Sequence, residues 1–416
     1  MIDNTKIAIV LGGTSPHVNL INNLKERGYY IVLVDYLQNP LGAKVADEHI
    51  RESTLDVDKI IEITTEKKAD LVISTCIDQA NSTCCYVAEK LNLPKPYSYK
   101  TSLDVTDKGK MKQIFISNDI PTSKFMIVKY VDDIDWGKVD YPAVVKPVDC
   151  NSSKGVHRAD SREEIVKYVT EAINLSRTRT AIIEGYNTGF EIQVDCFAQD
   201  TAATVIMTRQ KQKIISSGGS ELQCFGSIIP AQLSEELNIQ AKDIASKIAR
   251  SFKLHNTPFF YQAIVTDKGI QVLEFAPRIG GGLSTYIIKH VTGFDVLNSV
   301  IDSFLGNKVS VHIQENRRYY ATCLIYMNPG TFDHISGLQE QKASGDIVEY
   351  FILKDKGTQI DASMSSGNRV GAFVVEADNI TELNEKIKKG YENIEVYDLA
   401  GNAMLNRIVI SEKMGG

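Results

Sequence analysis

A chain of 416 residues with 43% hydrophobic and 24% charged residues is long enough for two or three globular domains. Its formal net charge of −6 gives no electrostatic footprint for nucleic acid, and no apolar segment approaches the roughly 20 residues that span a bilayer. The seven cysteines lack C-x-x-C spacing, which argues against a zinc site or a disulfide framework. Reduced thiols in the cytoplasm are the simplest interpretation.

The first hundred residues alternate short β-branched runs with segments of helical apolar periodicity. The runs KIAIVL, YIVLVD and DLVIST are typical of strands. Helices are expected at 15–28, 56–68 and 79–92. This alternation predicts a parallel, doubly wound sheet. The segment LPKPYSY, which contains two prolines, interrupts the pattern and indicates a domain boundary near residue 100.

The middle of the chain mixes strands with helices and leads into a mixed β and helical tail from about residue 315. Strands are expected at 125–129, 142–146, 181–184 and 190–198, and helices at 107–118, 235–252 and 295–305. The runs FFYQAIVT and GIQVLEF flank the turn Asp267-Lys268-Gly269, which predicts a β-hairpin. The last clear helix is TELNEKIKKGYENI.

A glycine pair, Gly12-Gly13, directly follows the first strand. A tight turn between a strand and a helix can present backbone N–H groups to an anion. The dinucleotide fingerprint G-x-G-x-x-G is missing here, which disfavours a dehydrogenase. A turn that only starts a helix is an equally good interpretation.

Two lysines mark a candidate phosphate site. Lys108 follows an aspartate, and Lys146 ends the apolar run of YPAVVKP, so its ammonium is expected at the edge of a buried strand. The small polar segment 151–155 comes next and offers hydroxyl and backbone donors to phosphate oxygens. A solvated loop with an incidental lysine is the alternative.

Two carboxylates frame the turn that follows. Glu184 closes one apolar strand and Glu191 opens the next. A carboxylate in such a place can accept hydrogen bonds from two hydroxyl groups, as from a ribose. Ordinary surface charge beside a hairpin is the alternative.

The predicted hairpin brings Gln262 and Glu274 near one another. Hard oxygen ligands beside a phosphate site suit magnesium, which commonly takes one or two side-chain oxygens together with phosphate and water. Arg278 could neutralise charge on a transferring phosphoryl group. A core-flanking ion pair between Glu274 and Arg278 is the simpler interpretation. The three successive glycines at 280–282, however, are hard to explain by packing alone.

Four motifs thus follow one another along the chain: the glycine turn, the two lysines, the two carboxylates, and the hairpin with Arg278. In this order they resemble the ATP-grasp superfamily, which includes biotin carboxylase, carbamoyl phosphate synthetase, D-alanine–D-alanine ligase and the L-amino-acid ligases. The resemblance covers essentially the whole chain and implies an α/β fold in three parts. These are a Rossmann-like pre-ATP-grasp domain at 1–100, a two-lobed α+β ATP-grasp domain at 101–310, and a small mixed C-terminal α/β domain at 311–416.

The resemblance also implies a role for each residue in binding ATP. Lys108 and Lys146 would contact the phosphates, and the loop with Ser152, Ser153 and Gly155 would close over them. Glu184 would bind the adenine amino group beside the backbone of Gly185 and Tyr186, and Glu191 would bind the ribose. Gln262 and Glu274 would hold Mg²⁺ or Mn²⁺. Arg278 and Lys146 would be the catalytic residues.

The chain departs from the family pattern at several of these positions. Ala276 stands where an asparagine often follows the second metal carboxylate, and Gln262 replaces an acid. The phosphate loop has Ser152 and Ser153 in place of paired glycines. One of two usual magnesium sites is therefore expected to be weaker or to use other ligands.

The implied function is ligation of a small-molecule carboxylate to an amine through an acyl phosphate, with release of ADP and phosphate. Two alternatives stay open: an enzyme that uses bicarbonate, and a non-catalytic ATP-binding regulatory protein. A homodimer also stays open, whereas nucleic acid and membrane partners are not expected. The candidate substrate contacts are Ser15, His17, Gly280, Gly281, Gly282 and Arg369.

Overall fold

The computed structural model of the chain describes residues 5–150, 154–200, 202–215, 222–281, 283–361 and 368–407. The N-terminal part is the predicted parallel sheet, in the order β3-β2-β1-β4, with helices in the connections. Its elements are β1 (Lys6–Leu11), α1 (Ser15–Glu26), β2 (Tyr29–Val34), β3 (Glu48–Ile50), α2 (Val57–Glu66), β4 (Leu71–Ile73) and α3 (Asp78–Leu91).

A small antiparallel sheet follows, in the order β5-β8-β6-β7. The sequence analysis missed the helix that covers it, in which Ile165 and Val169 pack against Val145 and Ile183. The elements of this part are α4 (Tyr99–Thr106), α5 (Lys108–Ser117), β5 (Phe125–Val128), β6 (Ala143–Pro147), β7 (His157–Ala159), α6 (Arg162–Leu175) and β8 (Ala181–Gly185).

The largest sheet joins strands from the middle and the C-terminal parts of the chain. The middle part supplies β9 (Phe190–Gln199), β10 (Ala202–Ile215), β11 (Leu222–Ile229), α7 (Glu235–Ser251), β12 (Thr257–Thr266), β13 (Gly269–Ala276), α8 (Ser284–Thr292) and α9 (Val296–Leu305). The elements of the C-terminal part, of which β14, β16 and β18 join the largest sheet, are β14 (Tyr319–Tyr326), β15 (Gly330–Ser336), α10 (Leu338–Ser344), β16 (Glu349–Ile352), β17 (Gln359–Ile360), β18 (Arg369–Ala377), α11 (Ile380–Glu392) and β19 (Glu395–Asp398).

The order of this sheet is β13-β12-β9-β10-β11-β14-β18-β16. Gly226 of β11 pairs with Cys323 of β14, so the sheet runs across the predicted boundary at 310–311. The boundary itself stays a prediction. The remaining C-terminal strands form a separate sheet in the order β17-β15-β19.

The two faces of the large sheet differ in chemistry because side chains alternate along each strand. On one face, Ile192 and Val194 of β9 join a core with Ile244 and Ile248 of α7. On the opposite face, β9 carries the polar side chain of Gln193, which lies beside Gln262 of β12 in the strand register. Polar residues that are far apart in sequence therefore lie on one face of the sheet.

The N-terminal part packs directly against helices α8 and α9. Leu24 of α1 belongs to the same buried apolar cluster as Ile287 and Ile301. An Arg27–Asp302 ion pair of 2.7 Å crosses the same interface. No helix within the described ranges is long and apolar enough to cross a bilayer.

Candidate functional site

Glu184 lies buried between two lysines. It is the last residue but one of β8 and neighbours Val144 of β6, so the side chain of Lys146 reaches it from the adjacent strand. The Nζ atom of Lys146 is 3.0 Å from Glu184 Oε1, and that of Lys112 is 3.4 Å away. Burial alone would raise the pKa of Glu184, but the two ammonium groups hold it below its usual value. The carboxylate is thus a counter-ion for both lysines.

The sequence analysis did not name Lys112. This residue lies one helical turn after Lys108 on α5 and is fully buried, and its ammonium donates to Thr122 Oγ1 at 2.7 Å. Burial lowers its pKa to about 8. The spacing of four residues from Lys108 was the only signal in the sequence, because side chains at i and i+4 share a helix face.

The backbone next to Glu184 is already hydrogen-bonded. The N–H of Gly185 donates to Lys124 O and that of Tyr186 to Pro142 O, both at 3.1 Å. The guanidinium of Arg158 lies 4.8 Å from the centre of the Tyr186 ring. The predicted adenine contact of this segment stays a prediction.

Glu274 interacts electrostatically with three candidate phosphate-binding cations. The predicted pairing of Gln262 with Glu274 across β12 and β13 is confirmed. Lys108 Nζ lies 3.5 Å from Glu274 Oε2. Desolvation would raise the pKa of this carboxylate, but Lys108, Lys146 and Arg278 together hold it below its usual value. Three positive side chains therefore act on a single carboxylate.

Arg278 makes a two-point ion pair with Asp78, a residue that the sequence analysis missed. Its Nε donates to Asp78 Oδ1 at 2.5 Å and its Nη2 to Oδ2 at 2.7 Å. The guanidinium lies 5.2 Å from the ring centre of Phe260. Asp78 is the first residue of α3, so this contact joins the N-terminal part to the large sheet.

A second polar group lies on the same face of the large sheet. Glu191 forms an ion pair with Lys213 of β10. Farther along β9, Asp195 accepts from Gln193 Nε2 at 2.9 Å and from Arg209 Nε at 2.8 Å. The Arg209 guanidinium also donates to Ser284 Oγ at 3.0 Å, which ties the start of α8 to the sheet.

The glycines after Arg278 lie close to this network. A Cβ on Gly280 would come within 2.8 Å of both Gln193 Nε2 and Ser284 Oγ, so a larger residue would displace them. Gly281 is exposed, and its carbonyl accepts from Ser284 Oγ at 2.9 Å. Gly282 lies outside the described residues, as do Ser152 and Ser153. Gly155 is described and has φ +70°, where an L side chain is strained.

His17 is buried under the first glycine turn, whereas Ser15 is exposed. The hydroxyl hydrogen of Ser74 donates to Leu11 O at 2.6 Å, so His17 Nε2 must donate to Ser74 Oγ, 3.2 Å away. Nδ1 then accepts from Thr14 Oγ1 at 2.8 Å. Burial lowers the pKa of His17 to about 4. Both ring nitrogens are therefore occupied within the protein.

Arg369 is not brought together with the other candidates. It starts β18, which lies five strand positions from β12, on the order of 24 Å at ordinary strand spacing. Its Nε donates to the Tyr326 hydroxyl at 2.7 Å. Its predicted role in substrate binding stays a prediction.

Two family models match parts of the chain. Residues 139–286 match the family model described as ATP-grasp domain. The chain carries an ATP-grasp domain. Residues 323–397 match a second model, L-amino acid ligase C-terminal domain 2. The resemblance inferred from the sequence motifs is thereby confirmed.

Solved structures that are similar to this chain cover nearly its whole length. The L-amino acid ligase from Bacillus licheniformis has 20% identity and a TM-score of 0.80, and covers 94% of this chain and 98% of its own. The biotin carboxylase domain of 2-oxoglutarate carboxylase from Hydrogenobacter thermophilus has 16% identity and a TM-score of 0.76, with coverages of 96% and 91%. These similarities show the fold and confirm the predicted α/β class.

A curated relative is similar in sequence over most of the chain. The carbamoyl phosphate synthase large chain from Clostridium acetobutylicum is 23% identical over 315 residues, which are 72% of this chain. The match spans only 28% of the length of that relative.

The environment of His17 predicts an acid-sensitive fold. Its pKa is near 6.5 in the unfolded chain and about 4 in the folded one, so between these values the unfolded chain binds more protons. Stability should therefore fall as the pH drops from 6.5 towards 4. Urea unfolding at pH 7 and pH 5 should show about 2 kcal/mol of this loss in the wild type but not in His17→Gln. The exposed His312→Gln is the matched control. Equal pH dependence in His17→Gln and the wild type would contradict this assignment.

Proposed function

We propose that this chain is an ATP-dependent ligase that activates a carboxylate as an acyl phosphate and joins it to an amine, with release of ADP and phosphate. The observation that carries the proposal is a group of four largely buried cations, Lys108, Lys112, Lys146 and Arg278, beside the carboxylates of Glu184, Glu274 and Asp78. Four cations against three carboxylates leave one positive charge in excess, which suits a polyphosphate.

The chemistry needs this excess positive charge. A carboxylate oxygen attacks the γ-phosphorus of ATP, the bond to the β–γ bridging oxygen breaks, and ADP leaves. The amine then attacks the acyl carbon, phosphate leaves, and the amine loses a proton. Lys108, Lys146 and Arg278 would offset the repulsion between the anionic acid and the triphosphate. Neither step requires a nucleophilic side chain.

The residues present fit one magnesium ion held mainly by the nucleotide. Gln262 and Glu274 lie side by side and would offer two oxygen ligands, while magnesium usually completes its shell with phosphate oxygens and water. No group of three or more His, Cys, Asp or Glu side chains suited to a metal occurs in the described part of the chain. When bound, the ion would withdraw charge from the phosphate oxygens.

The proposed ATP site extends from Lys108 and Lys146 to Glu191. The loop with Ser152, Ser153 and Gly155 would close over the phosphates, and the segment 184–186 would lie beside the adenine. Glu191 would accept hydrogen bonds from the ribose hydroxyls and would share its carboxylate with Lys213.

We further propose that the activated acid is an amino acid. The match of residues 323–397 to an L-amino acid ligase domain supports this choice over bicarbonate. Bicarbonate remains the second candidate, because the Hydrogenobacter structure contains MgADP and bicarbonate.

The proposed reaction is tested by measuring ADP release with pools of amino acids, with bicarbonate as a separate arm, followed by mass spectrometry of the product. The active acid is then labelled with oxygen-18 in its carboxylate. One labelled oxygen should appear in the released phosphate, because the carboxylate oxygen becomes the bridge to phosphorus. Release of AMP and pyrophosphate, with no label in phosphate, would contradict the acyl-phosphate step.

Replacing Glu274 with alanine should abolish turnover while the fold is retained. The variant loses the carboxylate next to the three cations, and the expected decrease in kcat is at least about 100-fold. Turnover is followed by magnesium-dependent ADP release and folding by circular dichroism. Asp267→Ala, in the exposed turn of the same hairpin, is the control and should behave as the wild type. Near wild-type turnover of Glu274→Ala would remove this residue from the site.

Replacing Glu191 with alanine should weaken ATP binding by on the order of 1.5–3 kcal/mol, the usual contribution of hydrogen bonds to a charged group. Calorimetry with ATP and with its 2′,3′-dideoxy analogue separates the ribose contacts from the others. The analogue should bind the wild type and the variant equally. If the variant loses the same affinity for both nucleotides, the ribose assignment is wrong.

A further inference from the structure

The orientation of Arg278 depends on a residue from the N-terminal part of the chain. Asp78 contacts the Nε and Nη2 groups of Arg278, at 2.5 and 2.7 Å. Both side chains are mostly buried, with 14% of Arg278 and 16% of Asp78 exposed. The two residues are 200 positions apart in sequence. Two parallel charge-assisted hydrogen bonds fix both the position and the plane of a guanidinium.

Packing alone does not fix this guanidinium. Arg278 borders a small cavity that is also lined by Ser74, Thr75 and Asn81. A side chain beside a void has fewer atoms to restrain it than one in a close-packed core. The two bonds to Asp78, together with the bond from Nη1 to Ile279 O and the ring of Phe260, therefore determine which way the Arg278 fork points.

The hydrogen bonds leave a defined part of Arg278 for a ligand. A guanidinium has five N–H groups. Two of them bind Asp78, and a third, on Nη1, donates to Ile279 O at 3.0 Å. Within the described part of the chain, this leaves one hydrogen on each terminal nitrogen. Two such donors can contact two oxygens of one phosphoryl group.

We infer that Asp78 is a positioning residue, which aims the two remaining donors of Arg278 at the transferring phosphoryl group. The inference rests on the proposed function. It makes the active site depend on the N-terminal part, because Asp78 starts α3 of that part and follows β4 closely. Asp78 acts through Arg278 and does not itself contact the substrate.

A second ion pair across the same interface provides the matched control. Arg27 of the N-terminal part contacts Asp302 at 2.7 Å and 3.3 Å, again through both carboxylate oxygens. This pair joins α1 to α9 and includes none of the proposed ligand-binding residues. Removing its charge should affect the stability of the interface and not the chemistry.

The test compares Asp78→Asn and Asp302→Asn in the full-length chain, with ATP and the amino acid pool that releases ADP. Asp78→Asn should lower kcat on the order of 100-fold, the usual effect of a lost transition-state contact, with little change in the KM for ATP. Asp302→Asn should lower the melting temperature and leave kcat unchanged. Asp78→Glu, which keeps the charge, should regain part of the lost activity.

A double variant separates positioning from a general loss of stability. If Asp78 acts through Arg278, the losses in Asp78→Asn and Arg278→Lys should be far from additive, because the second change finds the contact already lost. Additive losses, or an unchanged kcat in Asp78→Asn, would overturn the assignment and leave the proposed function intact. If Asp78→Asn fails to fold, Asp78→Glu decides: its displaced carboxylate should lower kcat in part, and a loss that adds fully to that of Arg278→Lys would overturn the assignment. A wild-type chain that releases no ADP with any pool overturns both proposals.

Discussion

The cost of burying positive charge constrains the whole candidate site. Lysine and arginine side chains that bind a phosphate must also be stable in the folded protein when no phosphate is bound. This requires a partner for each of them, because a buried charge is strongly unfavourable without one. The structure meets this requirement by giving each cation a carboxylate. The pairs are Lys146 and Lys112 with Glu184, Lys108 with Glu274, and Arg278 with Asp78.

Two of these pairs, Lys108–Glu274 and Arg278–Asp78, also connect different parts of the chain. Glu184 lies in β8 of the small sheet, while its second partner, Lys112, comes from α5. Glu274 belongs to the large sheet and Asp78 to the N-terminal part. Each pair therefore links two different elements. A nucleotide that binds among them would share these carboxylates, so its binding is expected to be coupled to the relative positions of the three parts.

The buried residues around the site divide into two kinds. His17 and the Asp195–Arg209 pair are satisfied by neighbouring protein atoms, and they support the glycine turn at 12–13 and the start of α8. Lys108, Lys112, Lys146 and Arg278, by contrast, share only three carboxylates, those of Glu184, Glu274 and Asp78. The excess of positive charge distinguishes a ligand site from a structural network.

The sequence by itself determined the type and order of most elements, because hydrophobic periodicity depends on local contacts. The strands of the N-terminal sheet, the hairpin that pairs Gln262 with Glu274, and the helix at 235–251 all follow from such patterns. The sequence also determined the ATP-grasp domain, because its motifs lie in characteristic order along the chain. Helix α6 was missed, although its 14 residues are amphipathic and the side chain of Ser161 caps its N-terminus.

Only the tertiary structure decided which charges meet. Asp78 and Arg278 are separated by 200 residues. Lys112 and Glu184 form an ion pair although they lie on a helix and a strand that are not consecutive in the chain. Tertiary packing also placed β11 beside β14 in one sheet. It brought Thr14 and Ser74 within hydrogen-bond distance of the two ring nitrogens of His17. Ion pairs and strand pairing between distant segments depend on how whole elements pack, and no periodicity within a segment encodes them.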